Sequence, residues 1–166
     1  MARQVWSNIK LMLTIFFDSR GVVHHEYAPQ GQNINKEYYL EVLCRLRDAV
    51  RRKRLDLWAT GTWQLHHDNV PAHSSQLVQT FLAIRNIPVV RQAPYSPDMA
   101  PCDFWLFPHL KTQLKWTRFE SRNDILQNTM AKLYFIRKEA FQKCFEQWRN
   151  RWEKCVQSQG DYFEGD

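Results

Sequence analysis

The chain has 166 residues, a formal net charge of +6 and 44% hydrophobic residues. That length and apolar content are typical of one globular domain with a buried core, and they exclude a disordered or fibrous chain. The excess of Lys and Arg favours a polyanionic partner, because basic side chains gain free energy by releasing counterions from a phosphate backbone.

Two β-prone segments near the start of the chain predict a hairpin. They cover residues 9–18 and 22–28, and the turn sequence SRG joins them. Apolar residues then recur at helical spacing, which predicts an amphipathic helix over 35–53 with Asn35 as its N-cap. The next stretch, LDLWATGT, is predicted to be a loop. The apolar face of the helix consists of Tyr39, Leu43, Leu46 and Val50.

The middle of the chain alternates strand and helix patterns. WQLHHDN at 63–69 predicts a short strand, and a helix capped by Ser74 or Ser75 runs to about residue 85. IPVVRQA at 87–93 predicts a further short strand. Strands that alternate with helices are typical of an α/β core.

Three helices are predicted after this core. One begins near Asp103, one begins at Ser121 with Asp124 completing a capping box, and one covers 138–158. The last helix carries large apolar residues at steps of three and four, which predicts a stripe packed on the core. The alternative is that its tryptophans stack on bases. The stripe consists of Phe141, Phe145, Trp148, Trp152 and Val156.

Cysteine spacing and the length of the apolar runs exclude further classes of protein. Cys44, Cys102, Cys144 and Cys155 form no CxxC pair, so neither a disulfide framework nor a zinc knuckle is predicted. The apolar run at 11–17 is much shorter than the roughly 20 residues of a membrane span. We expect an intracellular protein with no membrane partner.

Two aspartates occupy positions at which a hard cation could bind. Asp68 ends a predicted strand, at the sheet edge where open α/β folds usually build their sites. Asp103 starts a helix directly after a proline-rich loop. Carboxylates from two elements could converge on Mg²⁺ or Mn²⁺, which prefer oxygen ligands. The alternative is that each aspartate only caps a helix or forms a turn.

Other polar residues near these aspartates have simpler interpretations. Asp98 lies between prolines in SPDMAP and is expected to form a turn. His66, His67 and His73 could join Cys102 in a zinc site. Alternation along a strand turns His66 and His67 to opposite faces, however, so a zinc site is not favoured.

A basic run ends the first predicted helix. Its residues could line a DNA path or act as a nuclear import signal. Equally, they could be the solvated end of the helix, where cations complement the helix dipole. The run comprises Arg51, Arg52, Lys53 and Arg54.

The motifs around both aspartates resemble those of one enzyme family. HHDNVPAHSS at 66–75 and PYSPDMAPCDFWLFPHLK at 94–111 are similar to motifs in the catalytic domain of mariner-type transposases, in the Tc1/mariner superfamily. Thirty-four residues separate Asp68 from Asp103, as they separate the family's second and third catalytic aspartates. Residues 16–35 and 155–166 also resemble family segments.

The resemblance implies an RNase H-like fold, a mixed sheet with flanking helices. It implies that Asp68 and Asp103 are two of three carboxylates that hold Mg²⁺ or Mn²⁺ for cleavage and strand transfer of DNA. The implied partner is DNA, at transposon ends and target sites, with a homodimer possible and no small-molecule substrate. The implied location is the nucleus, otherwise the cytoplasm.

The match also departs from the family pattern. In the family, the first catalytic aspartate lies further before the second than the residues preceding Asp68 allow. We therefore expect residues 1–166 to form a single truncated catalytic domain without its first strand and without the N-terminal helix-turn-helix region. Asp18, in a turn sequence, is not expected to replace the missing carboxylate. Such a chain would hold metal weakly and be inactive alone, and the alternative is a non-catalytic DNA- or partner-binding protein.

Overall fold

The computed structural model describes residues 12–91 and 96–158. The beginning of the first predicted strand, the end of the strand predicted at 87–93 and most of the 155–166 segment lie outside these ranges. The chain divides into two compact units. The first contains the residues up to Phe17 and Val22–Val90, and the second contains Asp18–Gly21 and the residues from Arg91 onward. One domain over the whole chain stays a prediction.

The predicted hairpin is confirmed. Strand β1, Leu13–Asp18, pairs with strand β2, Gly21–Tyr27. In the turn between them, the Asp18 carboxylate accepts a hydrogen bond of 2.9 Å from the backbone N–H of Arg20. Gly21 has φ of +126°, a conformation that side chains with a Cβ rarely adopt. The structure therefore places Asp18 at the end of β1, where its side chain bonds into the hairpin turn.

The first predicted helix is also confirmed, and a second helix follows it. Helix α1 covers Lys36–Lys53, and the Asn35 side chain accepts a hydrogen bond of 2.9 Å from the backbone N–H of Tyr38. The stretch predicted as a loop contains helix α2, Leu55–Thr60, which ends at Gly61 in the left-handed conformation. The loop prediction was wrong because six residues are too few to show helical periodicity.

The rest of the first unit follows the predicted alternation. Strand β3 covers Leu65–His67 and pairs with strand β4, Val89–Arg91. Between them the chain forms two helices rather than one. Proline begins the short helix α3, Pro71–Ser74, and Ser75 then caps helix α4, Gln76–Ile84, through its hydroxyl. In the described residues the strands form two separate two-stranded sheets.

Side chains from α1, α4 and the strands form the core of the first unit. All four residues of the predicted apolar face of α1 are buried in it. Helix α1 packs against α2, α3 and α4, so it is the central element of this unit. The buried side chains are those of Val23, Ala28, Tyr38, Tyr39, Val42, Leu43, Leu46, Ala49, Val50, Leu65, Val78, Leu82 and Ile87.

The second unit is helical, as predicted. A 3₁₀ turn, Pro97–Met99, precedes a π-helical turn, Cys102–Leu106, which continues as helix α5, Phe107–Leu114. Helix α6, Arg122–Phe135, packs against α5. The Ser121 hydroxyl accepts a hydrogen bond of 3.1 Å from the Asp124 backbone N–H, which confirms the predicted cap.

Helix α7, Lys138–Gln157, matches the predicted long helix, but its buried face differs from the predicted stripe. Phe141 is buried, and Phe145, Trp148 and Trp152 are partly buried. Val156 is 75% exposed, so its assignment to the core was wrong. Cys144 is fully buried instead. No helix in the described ranges is long and apolar enough to span a membrane.

Candidate active site

Asp68 follows β3 directly, at the start of the connection to α3. Its side chain is 51% exposed, and Nδ1 of His73 lies 2.5 Å from its Oδ1. The backbone N–H of Val70 donates a longer bond of 3.5 Å to the same oxygen. The structure thus places Asp68 at a strand end, as predicted, while its role as a metal ligand stays a prediction.

Two further aromatic side chains surround His73. The Tyr39 ring from α1 stacks on the His73 ring, with 3.8 Å between centroids and 27° between planes. The Tyr39 hydroxyl also lies 2.7 Å from Nδ1 of His67, the last residue of β3. The two imidazole rings are nearly parallel, with centroids 5.3 Å apart. Tyr39, His67 and His73 therefore form one stacked group beside Asp68, which we call the aromatic cluster.

Burial controls the protonation of the aromatic cluster. Burial lowers the pKa of His67 to about 4, helped by His73 and His66 and opposed by Asp68. Burial also lowers the pKa of His73, against the opposing effect of Asp68. Burial, together with Asp68, raises the pKa of Tyr39. Near neutral pH all three rings are uncharged, so they contribute no positive charge beside the carboxylate.

Asp103 lies on the π-helical turn of the second unit. Its side chain is exposed, and its backbone N–H donates a hydrogen bond of 2.9 Å to the carbonyl of Ala100. Leu106, three residues later, is fully buried and anchors the turn. A π-helical turn inserts an extra residue into a helix and occurs frequently at functional sites. The start of a helix at Asp103 was predicted, but its π-helical geometry was not.

Asp98 has a backbone role in the proline-rich loop. Its carbonyl oxygen accepts a hydrogen bond of 2.9 Å from Nη1 of Arg151 on α7. The neighbouring carbonyl of Met99 accepts a bond of 2.8 Å from Nε1 of Trp148. The segment Ser96–Ala100 is thus tied to α7, which agrees with the interpretation of Asp98 as part of a structural turn.

The predicted ligands belong to different units, Asp68 to the first and Asp103 to the second. Across 12–91 and 96–158, no group of three or more His, Cys, Asp or Glu side chains is arranged to hold a metal ion. The donor chemistry nevertheless fits Mg²⁺ or Mn²⁺, because both candidates are accessible carboxylates and hard cations prefer oxygen. A metal site that uses both Asp68 and Asp103 stays a prediction.

The basic run occupies the end of α1. Arg51, Arg52 and Lys53 are exposed in its last turn, and Arg54 caps it through its backbone N–H. Arg51 pairs with Asp48 at 3.2 Å, a solvent-exposed pair of small energy. At this position the cations complement the helix dipole, as expected for the solvated end of a helix. They are also accessible to phosphate groups, as expected for residues that line a DNA path.

Sequence reasoning missed the aromatic cluster. Tyr39 was assigned to the apolar face of α1, and the histidines were considered only as zinc ligands. His73 lies five positions after Asp68, and this spacing does not by itself predict a contact between the two side chains. Only the packing of α1 beside β3 and α3 shows that the rings meet.

Comparison with known proteins identifies relatives along most of the chain. A family model described as "Transposase (partial DDE domain)" matches residues 1–60. The mariner Mos1 transposase of Drosophila mauritiana is 33% identical over 158 residues, which are 93% of this chain and 45% of that protein. The histone-lysine N-methyltransferase SETMAR of Homo sapiens is 29% identical over 156 residues, 93% of this chain and 23% of that protein.

Solved structures of the Mos1 transposase also match. Its catalytic domain alone superposes with a TM-score of 0.84 and 32% identity, covering 93% of this chain and 76% of that one. The same domain solved with raltegravir and Mg has a TM-score of 0.83 and 32% identity, covering 93% and 77%. The Mos1 paired end complex with Mn has a TM-score of 0.88 and 32% identity, covering 99% and 48%.

The fold is that of an RNase H-like catalytic domain, as the sequence motifs implied. The α/β fold class is therefore confirmed. The chain belongs to the mariner-type transposases. It spans less than half the length of the two full-length relatives, 45% and 23%.

Proposed function

We propose that this chain forms part of the catalytic domain of a mariner-type transposase, in which Asp68 and Asp103 bind Mg²⁺ or Mn²⁺ for phosphoryl transfer on DNA. The observation that carries the proposal is the placement of the two aspartates. Asp68 directly follows β3, and Asp103 lies on the π-helical turn. Each is accessible, and each lies in a motif characteristic of the family.

The chemistry of the reaction explains the need for carboxylates. Divalent cations supply charge that activates the attacking oxygen and stabilises the leaving oxygen of an in-line displacement. The residues of this chain provide oxygen donors and orient them. His73 and the Val70 backbone both approach Oδ1 of Asp68, and half of the side chain is exposed.

DNA is the proposed substrate, because the Mos1 structures similar to this chain include a transposon paired end complex. A homodimer and a nuclear location are proposed as well, since the family resemblance implies both. For the polypeptide of 166 residues we expect weak cation binding and no strand cleavage, because two carboxylates poorly support two metal ions.

Cation binding by isosteric variants tests the role of the aspartates. Asp68→Asn and Asp103→Asn should each lower the affinity for Mn²⁺ by at least about tenfold, because each removes a charged oxygen ligand. Electron paramagnetic resonance of free Mn²⁺ measures this affinity. Asp98→Asn is the matched control, since it changes a carboxylate nearby but keeps the carbonyl that bonds to Arg151.

Two results would contradict the proposal. If Asp98→Asn weakens Mn²⁺ binding as much as Asp103→Asn does, the cation responds to general charge rather than to a specific ligand. If neither Asp68→Asn nor Asp103→Asn changes the affinity, these residues are not ligands. Strand cleavage by the 166-residue chain, abolished by Asp103→Asn, would support the ligands but overturn the expected inactivity.

A further inference from the structure

The aromatic cluster connects Asp68 to two helices and a strand of the same unit. Nδ1 of His73 from α3 lies 2.5 Å from Oδ1 of Asp68, a close contact that is not aligned as a hydrogen bond. Tyr39 from α1 stacks on His73 with centroids 3.8 Å apart, and its hydroxyl lies 2.7 Å from Nδ1 of His67. His67 immediately precedes Asp68 in the chain. The contacts therefore form a closed ring that begins and ends at Asp68.

The members of this ring are much more buried than Asp68 itself. The side chain of His73 is 21% exposed, compared with 51% for Asp68. Tyr39 is only 4% exposed, so its ring is fixed by the core of the first unit. An accessible aspartate on a connection would otherwise sample several rotamers. A buried, stacked imidazole that contacts one of its oxygens removes much of that freedom.

The position of the proton between His73 and Asp68 follows from the chemistry of the two groups. An ionised carboxylate can only accept hydrogen bonds, so an orienting role for His73 requires the proton on its Nδ1. Carboxylates that bind metals are usually held in this way by a neighbouring donor, which fixes their orientation. The contact involves Oδ1 of Asp68.

We propose that His73 is a positioning residue for Asp68, held in place by the Tyr39 ring and by the bond between Tyr39 and His67. This inference rests on the proposed function, because a fixed orientation of the Asp68 carboxylate affects function only if Asp68 binds a cation. His73 does not contact the cation or the DNA in this role. It acts through the carboxylate that it orients.

Two substitutions separate the contact of His73 with Asp68 from its packing. His73→Asn places an amide N–H near the position of Nδ1 but removes the ring that stacks on Tyr39. His73→Phe keeps an aromatic ring on Tyr39 but has no donor for Asp68. If His73 orients Asp68, His73→Phe should weaken Mn²⁺ binding by about tenfold to a hundredfold, the range typical of groups that support metal ligands. His73→Asn should recover most of the affinity.

Thermal unfolding of the same full-length variants distinguishes positioning from a structural role. We expect His73→Phe to keep a melting temperature near that of the wild-type chain, and His73→Asn to melt at a lower temperature because it loses the stack. Stability and Mn²⁺ affinity should thus change in opposite order. If affinity simply follows the melting temperature, His73 has only a structural role and the inference is wrong.

A measurement without metal separates this inference from the proposed function. Nitrogen-15 NMR of the histidine rings should show His73 protonated on Nδ1 at neutral pH, and Asp68→Ala should change that resonance. Absence of a proton on Nδ1 would overturn the inference even if Mn²⁺ binds to Asp68. If the proton is found but the wild-type chain binds no Mn²⁺, the contact stands and the proposed metal role of Asp68 fails.

Discussion

Glu26 on β2 accepts hydrogen bonds from two different elements. Arg45 on α1 donates to both of its carboxylate oxygens, at 2.9 and 2.7 Å. His24, two residues earlier on the same face of the strand, lies 2.6 Å from Oε2. Burial would raise the pKa of Glu26, but the bonds to Arg45 and His24 outweigh it and lower that pKa. This ionised carboxylate therefore fastens the hairpin to α1.

Replacement of Glu26 tests the strength of this connection. Glu26→Gln should lower the free energy of unfolding at pH 7 by about 1–3 kcal/mol, the usual range for hydrogen bonds to charged groups. The control is Glu41→Gln, because Glu41 is 68% exposed and 4.0 Å from the same arginine. The control should cost less than about 1 kcal/mol. Urea unfolding measures both free energies, and equal costs would mean that the pair of Glu26 and Arg45 stabilises the fold no more than the exposed pair does.

The lowered pKa of Glu26 also predicts a pH dependence. A carboxyl group whose pKa is lower in the folded state stabilises the fold above its unfolded pKa, near the ordinary value of 4.5. That contribution is lost as the pH falls through the lower, folded pKa. The difference in stability between the wild-type chain and Glu26→Gln should therefore shrink on acidification below pH 4.5. A difference that stays constant well below pH 4.5 would disagree with the lowered pKa.

At the scale of elements, α7 holds the loop that precedes Asp103. Trp148 and Arg151 lie one turn apart on this helix and donate to the adjacent carbonyls of Met99 and Asp98. The guanidinium of Arg151 also lies 4.2 Å from the centre of the Phe104 ring, next to Asp103. The final helix thus contacts both the loop and the π-helical turn, which limits the positions that Asp103 can take.

Removal of one donor tests this role of α7. Trp148→Phe keeps an aromatic ring but loses the bond to Met99, which should cost about 1–2 kcal/mol because a largely buried carbonyl loses its partner. Amide hydrogen exchange should become faster in the 97–104 segment. The control is Trp116→Phe, at a tryptophan that is 88% exposed. Unchanged exchange in that segment would show that packing alone holds the loop.

At the scale of the whole molecule, the net charge of +6 should dominate encounters with DNA. Basic side chains that neutralise phosphates release counterions, so affinity falls as salt rises. The last turn of α1 presents three exposed cations next to one another. A chain without catalytic activity could still bind DNA in this way.

The salt dependence of binding to duplex DNA tests the basic run. A variant with all four of its cations changed to Gln should bind more weakly, and its slope of log affinity against log salt should fall by about 0.9 for each phosphate that is no longer neutralised. A control variant with the same change in net charge should keep a steeper slope. If the two variants have equal slopes, DNA binding depends on the net charge of the chain and not on the basic run. The control positions, exposed in or beside α7, are Arg137, Lys138, Lys143 and Arg149.

Features that depend on residues close together in the chain could be predicted from the sequence. Asn35 and Ser121 were assigned as N-caps because a short polar side chain before an apolar periodic run satisfies free backbone N–H groups. The helix α2 was missed because its six residues carry no periodic pattern. Val156 was assigned to the core because periodicity cannot show where the packing partners of a helix end.

The sequence by itself determined the order of strands and helices apart from α2 and the division between α3 and α4, and it determined the caps and the motifs that contain Asp68 and Asp103. These features follow from local backbone preferences and from the pattern of apolar residues. Only the tertiary structure decided which side chains surround each aspartate. Tyr39 meets His67 across 28 positions of the chain, and Trp148 meets Met99 across 49. Contacts at such separations depend on how elements pack, and no local pattern encodes them.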